Sequence, residues 1–217
     1  MSKQSHIHGY GAALRIANFD TDQVMPKQFL RGIDKSGLKD GLFYDLRFDE
    51  AGNPKPDFFL NQAAYASTNI LIAGSNYGCG SSREHAVWGM QQYGFKAVIA
   101  SSFAEIFYSN AMGNGLLLVT LPEDQVQALM QEADDLGGPV AMEIDIKRCI
   151  IRTPKYEFTF SLSARHHRMF LEGLDVIGLT LTLKPQIDAF AQQHWDERPW
   201  IKDVARKTVD RLAKDRD

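Results

Sequence analysis

Apolar residues gather in short runs in the middle of the chain and recur at helical spacing between them. Asn69-Ile70-Leu71-Ile72-Ala73-Gly74, Lys96 to Ala100 and Leu116 to Leu121 read as buried strands, because each is short, rich in aliphatic residues and bounded by turn formers. Between them, Ala86, Val87, Met90 and Tyr93 predict a helix ending at Gly94, and Phe103, Ile106, Phe107 and Ala111 predict another. Pro122 to Asp135 predicts a third, with Val126, Leu129, Met130 and Ala133 on one side. Alternating strand and helix implies an α/β layer with a mainly parallel sheet. A weaker strand is expected at Ala12–Ala17, followed by the turn cluster Asn18-Phe19-Asp20-Thr21-Asp22. After Gly137-Gly138-Pro139, the segments Val140 to Ile144, Arg148 to Arg152 and Tyr156 to Leu162 predict a small β unit packed onto that layer. Phe29 to Pro56 is irregular and glycine-rich, a long loop with short elements. Helical periodicity returns at Ala164 to Glu172, after Pro185 and beyond Pro199. The last of these has basic and acidic residues interleaved around an apolar stripe, which predicts a solvated amphipathic helix. The expected division is a domain over 1–198 and a helical extension over 199–217.

Composition narrows the classes of function. The 217 residues are 44% hydrophobic and 24% charged, the mixture of a folded globular chain. A net charge of −3 lacks the basic excess that phosphate neutralisation requires, so a nucleic-acid partner is not expected. No apolar run reaches the roughly 18 residues that span a bilayer, and the opening MSKQSHIHGYG has no signal-like stretch; a cytoplasmic enzyme or enzyme subunit is expected. The two cysteines, Cys79 and Cys149, lie far apart and form neither a disulfide framework nor a CxxC pair. A cubane iron–sulfur cluster takes about four thiolates, which this chain does not contain.

The chemistry concentrates in Gly74-Ser75-Asn76-Tyr77-Gly78-Cys79-Gly80-Ser81-Ser82-Arg83-Glu84-His85, between a strand and a helix start. Glycines let successive backbone N–H groups converge on an anion, and a helix N-terminus favours negative charge. Arg83 adds a planar fork suited to a carboxylate. The same letters also spell a capping box, Ser81-Ser82-Arg83-Glu84, in which Ser81 and Glu84 would close the helix end. Both readings stand at this level, and they are compatible. A P-loop is excluded because no lysine follows Gly80, and a dinucleotide motif because Arg83 stands where its third glycine belongs. Cys79 with His85 is an alternative thiol–imidazole pair. His166 and His167 are adjacent, so on a helix their side chains diverge by about 100 degrees and do not share a metal.

Gly78-Cys79-Gly80-Ser81-Ser82-Arg83-Glu84-His85 resembles the signature of the mobile C-terminal, or swivel, domain of the aconitase superfamily. Asn18–Asp22 with Pro26, Pro56-Asp57-Phe58, Tyr93–Ala100, Ser102–Phe107 and Gly173–Leu181 extend the likeness over roughly residues 10 to 195. The whole resembles the free-standing form of that domain, the isopropylmalate dehydratase small subunits. The resemblance implies a swivelling β/β/α domain with a mainly parallel central sheet, helices and a flanking small β unit. It implies a heterodimeric or larger hydro-lyase of leucine biosynthesis that interconverts 2-isopropylmalate and 3-isopropylmalate through isopropylmaleate. Related small subunits act on homoaconitate, citraconate or dimethylmalate, and a non-catalytic anion-binding module is the alternative of a different class.

On this resemblance the partner is a large subunit carrying a [4Fe–4S] cluster, with no cofactor or metal on this chain. Ser81 corresponds to the base, Ser82 to a hydrogen-bond donor to substrate, and Arg83 to the carboxylate-gripping arginine. Asp22 corresponds to an acidic residue on the same face, although Asx turns at Asp20 and Asp22 explain those residues equally well. The loop from Phe29 to Gly41 takes the place of a segment that brings a further arginine in aconitase, and Leu30 and Ile33 are expected to face the isopropyl group.

Overall fold

The computed structural model describes residues 2–30 and 36–214. Contacts divide the chain into two compact units, Met1–Asp175 and Val176–Asp217.

The first unit is built on a seven-stranded sheet of order β4-β3-β2-β1-β5-β6-β7. Its strands are β1 (His6–Leu14), β2 (Thr68–Ala73), β3 (Ala97–Ala100), β4 (Leu117–Thr120), β5 (Val140–Asp145), β6 (Ile150–Arg152) and β7 (Glu157–Thr159). Strands β1 to β4 pair in parallel, and β5 to β7 continue the sheet antiparallel from the other edge of β1. The small β unit is thus hydrogen-bonded onto the sheet as an extension rather than packed over it. Ile70, Leu71, Ile72, Val98 and Ile99 are buried, as continuous apolar strands must be when both sheet faces are covered. In β5, buried Val140, Met142 and Ile144 alternate with more exposed Ala141 and Glu143, the pattern of a strand with one solvated face.

The helices of this unit are α1 (Thr21–Val24), α2 (Tyr44–Arg47), α3 (His85–Tyr93), α4 (Glu105–Asn114), α5 (Glu123–Leu136) and α6 (Ala164–Glu172). The described part of the irregular stretch holds short turns, among them Lys27–Leu30 and Leu38–Gly41. Beneath the loops that leave β1 and β2 lies an aromatic cluster. Phe19 stacks on Tyr77 at 5.7 Å, and their other neighbours are Phe43 at 5.5 Å from Phe19 and Phe107 at 5.4 Å from Tyr77. These rings are buried, so the two loops share one rigid floor.

The first strand differs from its expected position, running from His6 to Leu14 rather than over Ala12–Ala17. Its N-terminal half holds histidines and glycine, with no apolar alternation to reveal it, and forms because it pairs with β5.

The second unit holds α7 (Val176–Leu181), α8 (Lys184–Glu197) and α9 (Val204–Lys214). The boundary expected after residue 198 falls inside this unit, at the turn Pro199–Ile201. Among the described residues, no helix is long and apolar enough to cross a membrane.

Candidate active site

Strands β1, β2 and β3 are parallel, so the segments that follow Leu14, Ala73 and Ala100 leave the same edge of the sheet. In open α/β sheets this carboxyl edge is where ligands bind. The three segments are laced together by backbone bonds. Asn18 N–H donates to Ser75 O at 2.8 Å, Gly78 N–H to Phe19 O at 2.8 Å, and Thr21 N–H to Cys79 O at 2.8 Å. On the far side, Tyr77 N–H donates to Ser102 O at 3.2 Å and Asn76 N–H to Ser102 Oγ at 2.8 Å. Gly78, at φ 79°, lies against Phe107: a Cβ there would sit 2.3 Å from the ring, so only glycine fits. Gly80, at φ 97°, then turns the chain toward α3.

Ser81 sits at the end of this turn, half-buried, and its partner is Thr21. Its N–H donates to Thr21 Oγ1 at 3.0 Å, and its hydroxyl lies 3.0 Å from the same oxygen. Helix α3 begins at His85 with Glu84 as the cap residue, and Glu84 makes no side-chain cap bond. Its carboxylate instead accepts from Asn114 Nδ2 at 3.0 Å. The capping box is therefore not formed, and the Ser81 hydroxyl is left to the site.

Arg83 reaches across to the first loop, where its Nη1 donates to Asp22 Oδ1. Lys27 Nζ approaches the other oxygen of Asp22 at 3.5 Å. The two aspartates of the turn cluster thus separate in role. Asp20 caps α1, accepting from Gln23 N–H at 2.7 Å, whereas Asp22 faces Arg83. Ser82 is exposed, and its carbonyl is held by Asn110 Nδ2 at 3.2 Å. Leu30 is partly buried against the core at the end of its turn, and Ile33 lies outside the described residues. The structure thus brings Ser81, Ser82, Arg83 and Asp22 to one edge of the sheet.

Sequence reasoning passed over Thr21. It stands in the turn cluster Asn18–Asp22, but no local signal links it to a serine sixty positions away. Only the parallel pairing of the two loops does.

The rival constellations do not assemble. Cys79 Sγ is turned to Asn18 O at 3.2 Å, and the His85 ring packs on Trp88 at 5.0 Å. His167 Nε2 lies 3.0 Å from Ile146 O and 3.3 Å from Lys147 O, so that nitrogen carries the proton. Burial pushes His166 below its ordinary value of 6.5, with the charge of Arg165 adding to the effect. Among the described residues, no three His, Cys, Asp or Glu side chains converge as a metal site would require.

The aconitase C-terminal domain family matches residues 1–124, which include both loops of the site. The chain is 54% identical over 215 residues to "3-isopropylmalate dehydratase small subunit 1" of Chromobacterium violaceum, covering 98% of this chain and 100% of that protein. It is 45% identical to the 3-isopropylmalate dehydratase small subunit of Roseobacter denitrificans, over 93% of this chain and all of that one. The crystal structure of a 3-isopropylmalate dehydratase from Methanocaldococcus jannaschii superposes with a TM-score of 0.60 at 26% identity, covering 86% of this chain and 99% of its own.

Proposed function

The chain belongs to the family of 3-isopropylmalate dehydratase small subunits, built on an aconitase C-terminal domain, and we propose that Ser81 is the base through which it acts. It is the small subunit of a hydro-lyase of leucine biosynthesis. The reaction we assign to it is the reversible loss and re-addition of water that interconverts 2-isopropylmalate and 3-isopropylmalate through isopropylmaleate, in the cytoplasm.

The observation that carries this reading is the placement of the Ser81 hydroxyl. It is half-buried at the carboxyl edge of the parallel sheet, taken up by no helix cap, and next but one to a guanidinium. Arg83 offers a substrate carboxylate the part of its fork that Asp22 does not hold. Ser82, exposed beside it, donates a further hydrogen bond. As an alkoxide, Ser81 Oγ takes the proton from the carbon next to that carboxylate. The C–H electron pair becomes the new C=C bond as the hydroxyl on the neighbouring carbon departs with its own bonding pair. In the reverse sense, Ser81 returns the proton to carbon. Leu30 and Ile33 are assigned to the loop that meets the isopropyl group.

Departure of hydroxide needs an electrophile, and the chain has no thiolate set to hold one: Cys79 and Cys149 are engaged with separate backbone carbonyls. We assign the [4Fe–4S] cluster to the large subunit, where it supplies Lewis-acid chemistry to the substrate hydroxyl.

The test is reconstitution with the cluster-bearing large subunit. Turnover of 2-isopropylmalate should require both chains and exceed that of citraconate, homoaconitate and dimethylmalate. Ser81→Ala should lower the rate by at least about a hundredfold while subunit association persists, since a positioned base contributes about 10²–10⁴. A Ser81→Ala enzyme that keeps most of its rate refutes the assignment.

A further inference from the structure

We infer that Thr21 is a positioning residue for Ser81, a hydroxyl that turns its proton onto the serine oxygen when that oxygen is charged; this rests on Ser81 being the base. Thr21 is 2% exposed, and Ser81 surrounds its Oγ1 with three groups. These are the Ser81 N–H at 3.0 Å, the Ser81 hydroxyl at 3.0 Å and the Ser81 carbonyl at 3.3 Å.

A hydroxyl has one proton and two lone pairs. One lone pair of Thr21 accepts the Ser81 amide. While Ser81 is neutral, its proton occupies the second lone pair, and the proton of Thr21 rests toward the Ser81 carbonyl. Once Ser81 has lost its proton, the serine oxygen only accepts. The Thr21 proton then swings from the carbonyl to the alkoxide by rotation about one bond. No bond to hydrogen breaks in Thr21, and the proton gained by Ser81 comes from the substrate carbon alone. A hydrogen bond to an ionised oxygen is about twice as strong as a neutral one, so the rotation favours the alkoxide over the alcohol.

The rest of Thr21 is fixed, which confines the response to its hydroxyl. Its N–H is bonded to Cys79 O at 2.8 Å, its carbonyl accepts from Met25 N–H at 2.9 Å, and it opens a helix capped by Asp20. The serine oxygen is thereby held at a set point over the sheet edge, with its stabilising donor already inside the protein.

The experiment uses the reconstituted two-subunit enzyme with Thr21→Val, Thr21→Ser and, as reference, Ser81→Ala. Thr21→Val removes the hydroxyl at nearly constant volume. We expect kcat to fall about a hundredfold, the cost of losing one oxyanion donor, with KM within about threefold. Thr21→Ser, which keeps the hydroxyl, should stay within about fivefold of the parent, and the rate of Thr21→Val should keep rising with pH beyond the point where the parent levels off. The inference is overturned if Thr21→Val keeps its kcat, if its loss falls on KM, or if Thr21→Ser is equally impaired. Should Thr21→Val fail to associate with the large subunit, Thr21→Ala, which also lacks the hydroxyl, replaces it and is read by the same three measures. Failure of the base assignment is separate, because it shows as activity retained in Ser81→Ala.

Discussion

Arg83 Nη1 lies 2.5 Å from Asp22 Oδ1, joining two residues sixty-one positions apart in the chain. Both side chains are partly exposed, 31% for the arginine and 40% for the aspartate, and a pair so open to water adds at most about 1 kcal/mol to stability. Its consequence is orientation. A guanidinium on a free side chain samples many rotamers, whereas this one is held to a fixed partner beside the serine loop. Asp22 itself would repel a dicarboxylate. Its proposed part in substrate binding is thus indirect, through Arg83.

Asp22→Asn keeps the shape of the side chain and removes its charge. Arg83 then loses its anchor while keeping its own charge for the substrate. KM for 2-isopropylmalate should rise about tenfold with kcat within about threefold, the signature of lost binding that ground and transition states share. Steady-state kinetics of the reconstituted enzyme check it. An unchanged KM would mean that the ion pair does not orient the fork.

Arg83→Lys separates charge from geometry. Lysine retains the positive charge but offers a single ammonium in place of a planar fork, so two-point contact with a carboxylate is lost. KM should increase by roughly 10- to 100-fold, about 1.4 to 2.8 kcal/mol of binding. Raising the salt concentration should weaken the lysine enzyme more than the parent, since a point charge relies on unscreened attraction. If the two enzymes bind alike, charge alone is sufficient at this position.

Gly78→Ala tests the floor of the site instead of its chemistry. The residue has φ 79°, and an added Cβ would stand 2.3 Å from the Phe107 ring, which is itself buried and packed on Tyr77. Neither the backbone nor the ring can yield cheaply. A left-handed conformation at a non-glycine residue costs about 1–3 kcal/mol, and overpacking adds a comparable amount. Urea unfolding of the isolated chain should give a loss of at least about 2 kcal/mol. A loss below about 0.5 kcal/mol would contradict the close approach.

The parallel half of the fold is legible in the chain because burial on both faces forces continuous apolar runs: β2, β3 and β4 and the helices after them lie within a few residues of where the pattern places them. The N-terminal half of β1 is not legible, since His6, His8 and Gly9 are held by pairing with β5 and not by their own preference. The loop at Gly74–His85 offers an anion-binding reading through its glycines and arginine, yet the choice between cap and chemistry is a three-dimensional matter. It turns on where α3 starts, and on Thr21, which takes up the Ser81 N–H that Glu84 would accept in a capping box. Pairings such as Thr21 with Ser81 and Asp22 with Arg83 arise from two strands leaving one sheet edge, which no local pattern encodes.

The buried side of α6 gives the protein a pH dependence that can be isolated at one residue. His166 packs its ring 5.6 Å from that of Tyr108, and its Nδ1 is buried with no hydrogen-bond partner among the described residues. Burial, and secondarily the charge of Arg165, lower its pKa below the ordinary 6.5, so the folded protein holds this ring neutral where the unfolded chain takes up a proton. Between the two values the unfolded state binds more protons, and stability therefore rises with pH through that window. The contribution is complete above about pH 6.5. It is lost progressively as the pH falls toward the lowered value of the folded state. His166→Phe keeps an aromatic ring against Tyr108 and removes the titrating group. Urea midpoints measured from pH 5 to pH 8 should fall less steeply below pH 6.5 in the variant than in the parent. The carboxylates common to both proteins cancel in that difference. Parallel curves would show that the folded and unfolded states protonate His166 alike.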